Sequence, residues 1–162
     1  MSAPFHIVFF EPEIPQNTGS TARLCAATGA VLHLVGKLGF RTDAAAVKRA
    51  GLDYWPHVTV VKHASWEAFI QTAGLDARLW FFSKKAERVY TDAEFRTGDY
   101  LVFGPETRGL PDAMLEAAPQ CCLRMPIRTD KVRSLNLATA AGIALFEALR
   151  QTGYPGIPAP SE

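Results

Sequence analysis

Six short apolar runs, Phe5 to Phe10, Ala30 to Val35, Val58 to Val61, Leu79 to Phe82, Tyr100 to Phe103 and Cys121 to Met125, constrain this chain most. Mainly apolar stretches of that length, with only His6, His33, Thr59 and Arg124 interrupting them, suit strands covered on both faces. The segments between them carry helix signals. Asn17 or Thr18 can cap a helix running to about Thr28, with Gly29 as its stop. A short helix is expected from Asp43 to Ala50, ending at Gly51, and another over 65–73, capped by Ser65 and ended by Gly74. Pro111 can be the first residue of a helix to Ala117, and a last helix is expected from about Leu135 to Gln151, stopped by Gly153. Strands that alternate with helices pair in parallel, so the expected fold is α/β, a parallel sheet with helices on both faces.

A chain of 162 residues can bury one sizeable core and is short for two. We expect a single domain over 1–156 and an irregular tail over 157–162, where Pro158 and Pro160 oppose regular structure. The formal net charge of +1 argues against nucleic-acid binding by bulk attraction but leaves room for local basic clusters. Lys48-Arg49, Lys84-Lys85 with Arg88, and Arg124, Arg128, Lys131 and Arg133 are such clusters. Three cysteines without Cys-x-x-Cys spacing indicate neither a disulfide framework nor a zinc site, and no metal is expected. No stretch has the length and apolarity of a membrane span or a secretion signal, so a cytoplasmic setting is expected. The last helix is apolar almost all round, with Ala138, Ala141, Gly142 and Ala144 small enough for close backbone approach. A homodimer is the expected consequence.

Three segments carry the chemistry. Phe103-Gly104-Pro105-Glu106-Thr107-Arg108-Gly109-Leu110-Pro111 follows a strand directly, at the sheet end where ligands of α/β folds sit. Glu11-Pro12-Glu13-Ile14-Pro15-Gln16-Asn17-Thr18-Gly19 runs on to Arg23, and Arg133-Ser134-Leu135-Asn136-Leu137-Ala138 opens the last helix. Together they resemble the three motifs of the SPOUT class of S-adenosylmethionine-dependent RNA methyltransferases. Adding Arg49-Ala50-Gly51-Leu52-Asp53-Tyr54 and Gly153-Tyr154-Pro155-Gly156, the chain from about Ile7 to Gly156 resembles one subfamily, the TrmL-like tRNA (cytidine/uridine wobble position) 2'-O-methyltransferases.

That resemblance implies S-adenosylmethionine as cofactor, the tRNA anticodon loop as partner, and a dimer whose active sites use both subunits. It also implies a trefoil knot within about Leu79 to Arg150, which periodicity does not predict because knots are almost absent from proteins. By the same resemblance, Asn17 and Arg23 are the catalytic residues, and Arg23 meets the ribose 2'-hydroxyl or the adjacent phosphate. A guanidinium stays protonated, so phosphate clamping and oxyanion stabilisation are expected first and proton removal second. Counted along a helix, Asn17, Ser20 and Arg23 or Leu24 project toward one side.

The resemblance carries cofactor binding onto Phe82, Gly104, Met125 and Ser134, largely through backbone groups. Gly104 lacks a side chain that would keep a ligand from the backbone. Ser134 can equally be the N-cap of the last helix. Glu106 can pair with Arg23 or Arg108, cap a helix, or orient a bound ligand, and the resemblance counts it with the cofactor-binding residues, holding the Asn17 and Arg23 region against the cofactor loop. The loop 126–133 is one residue longer than is usual in the subfamily, and Phe146 stands where relatives often have Tyr. Two other functions fit the pattern less well. One is a SPOUT enzyme acting on another tRNA or rRNA nucleoside. The other is a non-catalytic nucleotide-binding protein, which is disfavoured because no Lys-Ser/Thr follows Gly109 and no Gly-x-Gly-x-x-Gly follows a strand.

Overall fold

The computed structural model describes residues 2–42, 45, 49 and 55–161. Its strands are β1 (His6–Phe10), β2 (Val31–Val35), β3 (Val60–His63), β4 (Leu79–Phe82), β5 (Tyr100–Phe103) and β6 (Cys122–Leu123). Its helices are α1 (Pro15–Thr28), α2 (Trp66–Ala73), α3 (Asp112–Glu116) and α4 (Leu137–Thr152), joined by single 3-10 turns at Trp55–His57, Tyr90–Asp92 and Pro119–Cys121. The strands form one sheet in the order β3-β2-β1-β5-β4-β6, and every pairing is parallel. The expected helix from Asp43 to Ala50 with its stop at Gly51 lies outside the described residues, as does most of the motif over 49–54.

Side-chain alternation along each strand divides the core. Ile7, Phe9, Leu32, Leu34, Leu101 and Phe103 pack on one face with Ala22 and Cys25 of α1 and Ala141, Leu145 and Ala148 of α4. Val8, Val35, Phe81 and Val102 face the other way, with Phe69 of α2 and partly buried Met114 and Leu115 of α3. Helices therefore cover both faces, as the alternation of elements requires. The α4 helix buries Leu137, Ala141, Ala144, Leu145, Ala148 and Leu149, yet leaves Ile143 38% and Phe146 47% exposed. Residues 157–161 have no regular structure, although Ile157 packs against the larger cluster.

Gly29 and Gly153 take the left-handed conformation that ends a helix, at φ 78° each, and Ser65 caps α2 by accepting from the Ala68 N–H. Other helix ends differ from expectation. The α1 helix starts at Pro15, two residues before Asn17, and has no side-chain cap from its own N-cap residue, Ile14. Pro111 is the N-cap of α3 instead of its first residue, and α4 starts at Leu137 with Asn136, not Ser134, as its cap. The last strand is only two residues long, because Cys121 belongs to the preceding 3-10 turn.

On the α2 side of the sheet, three histidines on neighbouring strands form a diagonal ladder. His6 Nδ1 lies 2.9 Å from His33 Nε2, and His33 Nδ1 lies 3.0 Å from His63 Nε2. Tyr100 stacks on His6, and Phe69 meets the rings of His33 and His63 edge-on. Neutral imidazoles can each donate once and accept once, which suits this chain. Burial, aided by His6 and His63, pushes His33 down to about 3, and burial also lowers His6 and His63. The unfolded chain therefore takes up these protons first, so the ladder's stability is complete above the ordinary value of 6.5 and is lost as pH falls toward about 3. His33 alone should cost about 2 kcal/mol of unfolding free energy between pH 7 and pH 5. Urea unfolding at both pH values should show the drop, and His33→Leu should flatten the dependence by about one proton. An equal drop in that variant would remove His33 as its source.

Candidate active site

The two central strands bring two motif loops to the same end of the sheet. β1 and β5 pair in parallel with Phe9 opposite Phe103, so the loops that follow them, 11–14 and 104–111, emerge side by side. They clasp each other with two carboxylates. Glu106 accepts from the N–H groups of Glu13 (2.7 Å) and Ile14 (3.0 Å) and from the Asn17 amide nitrogen (3.2 Å). Glu13 in return accepts from the backbone N–H and the hydroxyl of Thr107, at 3.0 Å and 2.7 Å. The Thr107 backbone bond is the main reason the Glu13 carboxyl lies below its ordinary range, with the Thr107 hydroxyl next. Glu106 thus supplies, from 92 positions downstream, the N-terminal cap that Ile14 cannot give α1. An anion there also suits the positive end of the helix.

The third motif joins through Asn136. Its amide nitrogen donates to the Asn17 side-chain oxygen at 2.9 Å, while its own oxygen accepts from the Thr139 N–H at 3.1 Å. Glu106, Asn17 and Asn136 therefore form one directional chain linking the loop after β5, the first turn of α1 and the cap of α4. Residue type could not single out Asn136, because Asn and Ser are about equally good caps and Ser134 lies only two residues before it. Asn136→Asp keeps a cap acceptor but sets a carboxylate oxygen against the Asn17 oxygen, which is fixed because the Asn17 nitrogen is committed to Glu106. We expect that variant to lose tenfold or more in turnover with little loss of stability, while Asn136→Ala also loses about 1 kcal/mol as a cap. Urea midpoints measured beside turnover separate the two effects, and a fully active Asp variant would refute the coupling.

Asn17 and Arg23 do not share a face. Six residues advance a helix by about 600°, leaving Arg23 about 120° from Asn17, whereas Leu24 returns to the same side. Accordingly Asn17 is buried and Leu24 half-buried, while Gln16, Ser20, Arg23 and Ala27 form an exposed stripe. Ser134 is exposed and lies before the cap, so its capping alternative is withdrawn. Gly104 is explained by its own loop. A Cβ there would stand 2.3 Å from the Gly109 carbonyl carbon and from the Leu110 nitrogen. Phe82 is 9% exposed and stacks on Phe103, which leaves its backbone as the part able to meet a ligand.

A cavity of about 340 Å³ lies between the 83–99 connection and the start of α4, walled by Val89, Tyr90, Met125, Pro126, Leu135 and Ile143. Met125 is the one sequence-predicted cofactor residue in its wall. The size falls at the low end of small-molecule sites, and mainly apolar walls suit a flat heterocycle. The site therefore fits a nucleoside-type group. Among the described residues no cluster of His, Cys, Asp or Glu could hold a metal ion, and no helix is long and apolar enough to cross a membrane.

The profile of the SpoU rRNA Methylase family matches residues 4–146. The chain belongs to the SpoU methylase family. Among similar members of this family is a tRNA (cytidine(34)-2'-O)-methyltransferase of Saccharophagus degradans, 48% identical over 94% of this chain and 98% of its own length. A solved structure described in terms of 2-OH methylation of C/U34 on tRNA is 49% identical, covers 92% of this chain and 96% of that one, and has a TM-score of 0.87. An AdoMet-bound rRNA methyltransferase from Sinorhizobium meliloti is 25% identical with a TM-score of 0.81, covering 92% of this chain and 58% of that one. The parallel sheet with helices on both faces is thus the SPOUT methyltransferase architecture of the SpoU family.

Proposed function

We propose that the chain transfers a methyl group from S-adenosylmethionine to the ribose 2'-hydroxyl of the wobble nucleotide, cytidine or uridine 34, of tRNA. One observation carries the reading: near-complete, two-way coverage at 48% identity by a tRNA (cytidine(34)-2'-O)-methyltransferase. The cofactor supplies a methyl group on a positively charged sulfur. Met125 and the cavity walls would hold its apolar part, with backbone groups at Phe82, Gly104 and Ser134 for its polar ends. Glu106 acts as a positioning residue that keeps the loops closed. Asn17, held by Glu106 and Asn136, orients the substrate side, and Arg23 clamps the adjacent phosphate and stabilises the developing oxyanion.

Residues 1–156 constitute the methyltransferase domain and 157–162 its tail. A threaded, knotted C-terminus is supported by the contacts of the 83–99 connection on both sides of the cavity. Tyr90 donates to the Arg124 carbonyl and Arg124 to that of Arg88, while Phe95 and Ala93 bond the side chain of Gln151 in α4. A homodimer is supported by the exposed Ile143 and Phe146 of α4 and by open space beside Gly142, where a Cβ would approach only Leu24, at 4.0 Å. A cytoplasmic location follows from the tRNA substrate. The test is transfer of labelled methyl to tRNA from cells lacking the protein, followed by nucleoside digestion. Label in a 2'-O-methylated nucleotide 34 is expected, and label elsewhere would redirect the reading to another tRNA or rRNA nucleoside.

A further inference from the structure

The loop after β2 forms a second feature at the same end of the sheet. Its backbone is fixed on two sides: Gly36 donates to the His63 carbonyl at 3.0 Å, and Gly39 donates to the Pro12 carbonyl at 2.9 Å. The second approach is so close that a Cβ on Gly39 would stand 2.9 Å from the Glu13 Cα. This loop is therefore locked to the one that carries the Glu13–Thr107 clasp and leads into α1. Beyond that junction lies an open groove of about 430 Å³ lined by Leu38, Phe40, Arg41, Thr42 and Lys62. Leu38 packs against the core and anchors the loop, Phe40 is half-buried, and Arg41 and Lys62 are exposed. Lys62 donates to the Thr42 hydroxyl at 2.6 Å, which sets its ammonium at the groove. Of the acids of the adjoining loop, Glu13 is taken up by Thr107, and Glu11 packs beside Gly36 with its carboxylate 4.0 Å from Arg108.

We propose that this groove is a substrate subsite that seats an unpaired RNA nucleotide flanking the methylated one, with its base against Phe40 and its phosphate held by Lys62 and Arg41. One aromatic face beside two cations is the arrangement that holds splayed single-stranded nucleotides, because every base has a face to stack and every linkage a negative charge. With a net charge of +1 bulk attraction is weak, so binding rests on local cationic contacts of this kind. The inference rests on the wobble-nucleotide reading for the identity of the RNA, and on the groove alone for the contact.

The experiment measures binding of the full chain to a synthetic anticodon stem-loop by fluorescence anisotropy between 50 and 200 mM salt, with steady-state methyl transfer in parallel. Lys62→Gln should weaken binding and lower the slope of log affinity against log salt by about one, raising KM with kcat nearly unchanged. Phe40→Leu should weaken binding about fivefold or more without changing that slope, and Phe40→Tyr should restore it. Thermal melts confirm that each variant is folded. Wild-type methylation of tRNA with all variants binding like wild type would overturn the subsite and leave the function intact. Weakened binding by the variants, with no transfer by the wild type to any tRNA, would keep the subsite and overturn the wobble reading. A wild-type chain that neither binds the stem-loop nor transfers methyl would overturn both.

Discussion

Gly104→Ala should unfold or severely destabilise this protein, by about 3 kcal/mol or more. A Cβ at that position meets main-chain atoms of Gly109 and Leu110 at 2.3 Å, and backbone cannot rotate away as a flexible side chain can. Overpacking against side chains already costs about 1–3 kcal/mol, a large share of the roughly 5–15 kcal/mol that holds a domain together. The loop has little freedom to yield. Gly109 sits at φ 69° and donates to the Pro105 carbonyl at 2.9 Å, while Leu110 is buried in the smaller core cluster. Any shift would also move Glu106 away from Glu13, Ile14 and Asn17, so activity should fall together with stability. The control is Gly142→Ala in α4, where within one subunit a new Cβ makes only an ordinary contact with Leu24 and helix propensity favours alanine by about 1 kcal/mol, followed at dilutions where the chain is monomeric because Gly142 lies on the proposed dimer face. Urea unfolding curves of both variants give the comparison. If Gly104→Ala kept the wild-type midpoint and slope, loop closure would not be the reason for the glycine.

Arg23→Ala should reduce methyl transfer by about a hundredfold or more while cofactor affinity stays close to that of the wild type. Removing one group that stabilises a developing oxyanion costs roughly 2.7–4 kcal/mol in comparable sites. Arg23 lies on the exposed stripe of α1, about 120° round the helix from buried Asn17, and is no part of the core. Lysine is a poor replacement if the guanidinium grips a phosphate through two parallel bonds, so Arg23→Lys should recover only a small part of the loss. Single-turnover transfer, paired with calorimetric titration of S-adenosylmethionine, separates the roles. Lost cofactor affinity in the alanine variant would move Arg23 into the cofactor site, and undiminished transfer would remove it from catalysis.

Local signals placed most elements of this chain but misplaced two helix starts, since Pro111 is the N-cap of α3 and Asn136, not Ser134, caps α4. Periodicity alone located β4 and β5 to the residue, and Gly29, Gly74 and Gly153 marked helix ends because a backbone conformation is decided within a few neighbours. The motif segments carried the family, since their residue order is itself the signal. The other misreadings concern contacts with a partner far along the chain. Asn17 reads as a cap by residue type, yet Glu106 caps α1 and Asn17 instead bridges to Asn136, 119 positions away. Gly104 reads as a place for a ligand, and the return of its own loop adds a second demand for the missing side chain that the sequence does not show. Nor does the His6–His33–His63 ladder show in the sequence, where 27 and 30 residues separate its members. By itself the sequence determined the elements, the parallel α/β class and the family. Only the tertiary structure decided which carboxylate caps which helix and which side of α1 faces outward, because those contacts follow from the strand order that sets β1 beside β5, and nothing local encodes that order.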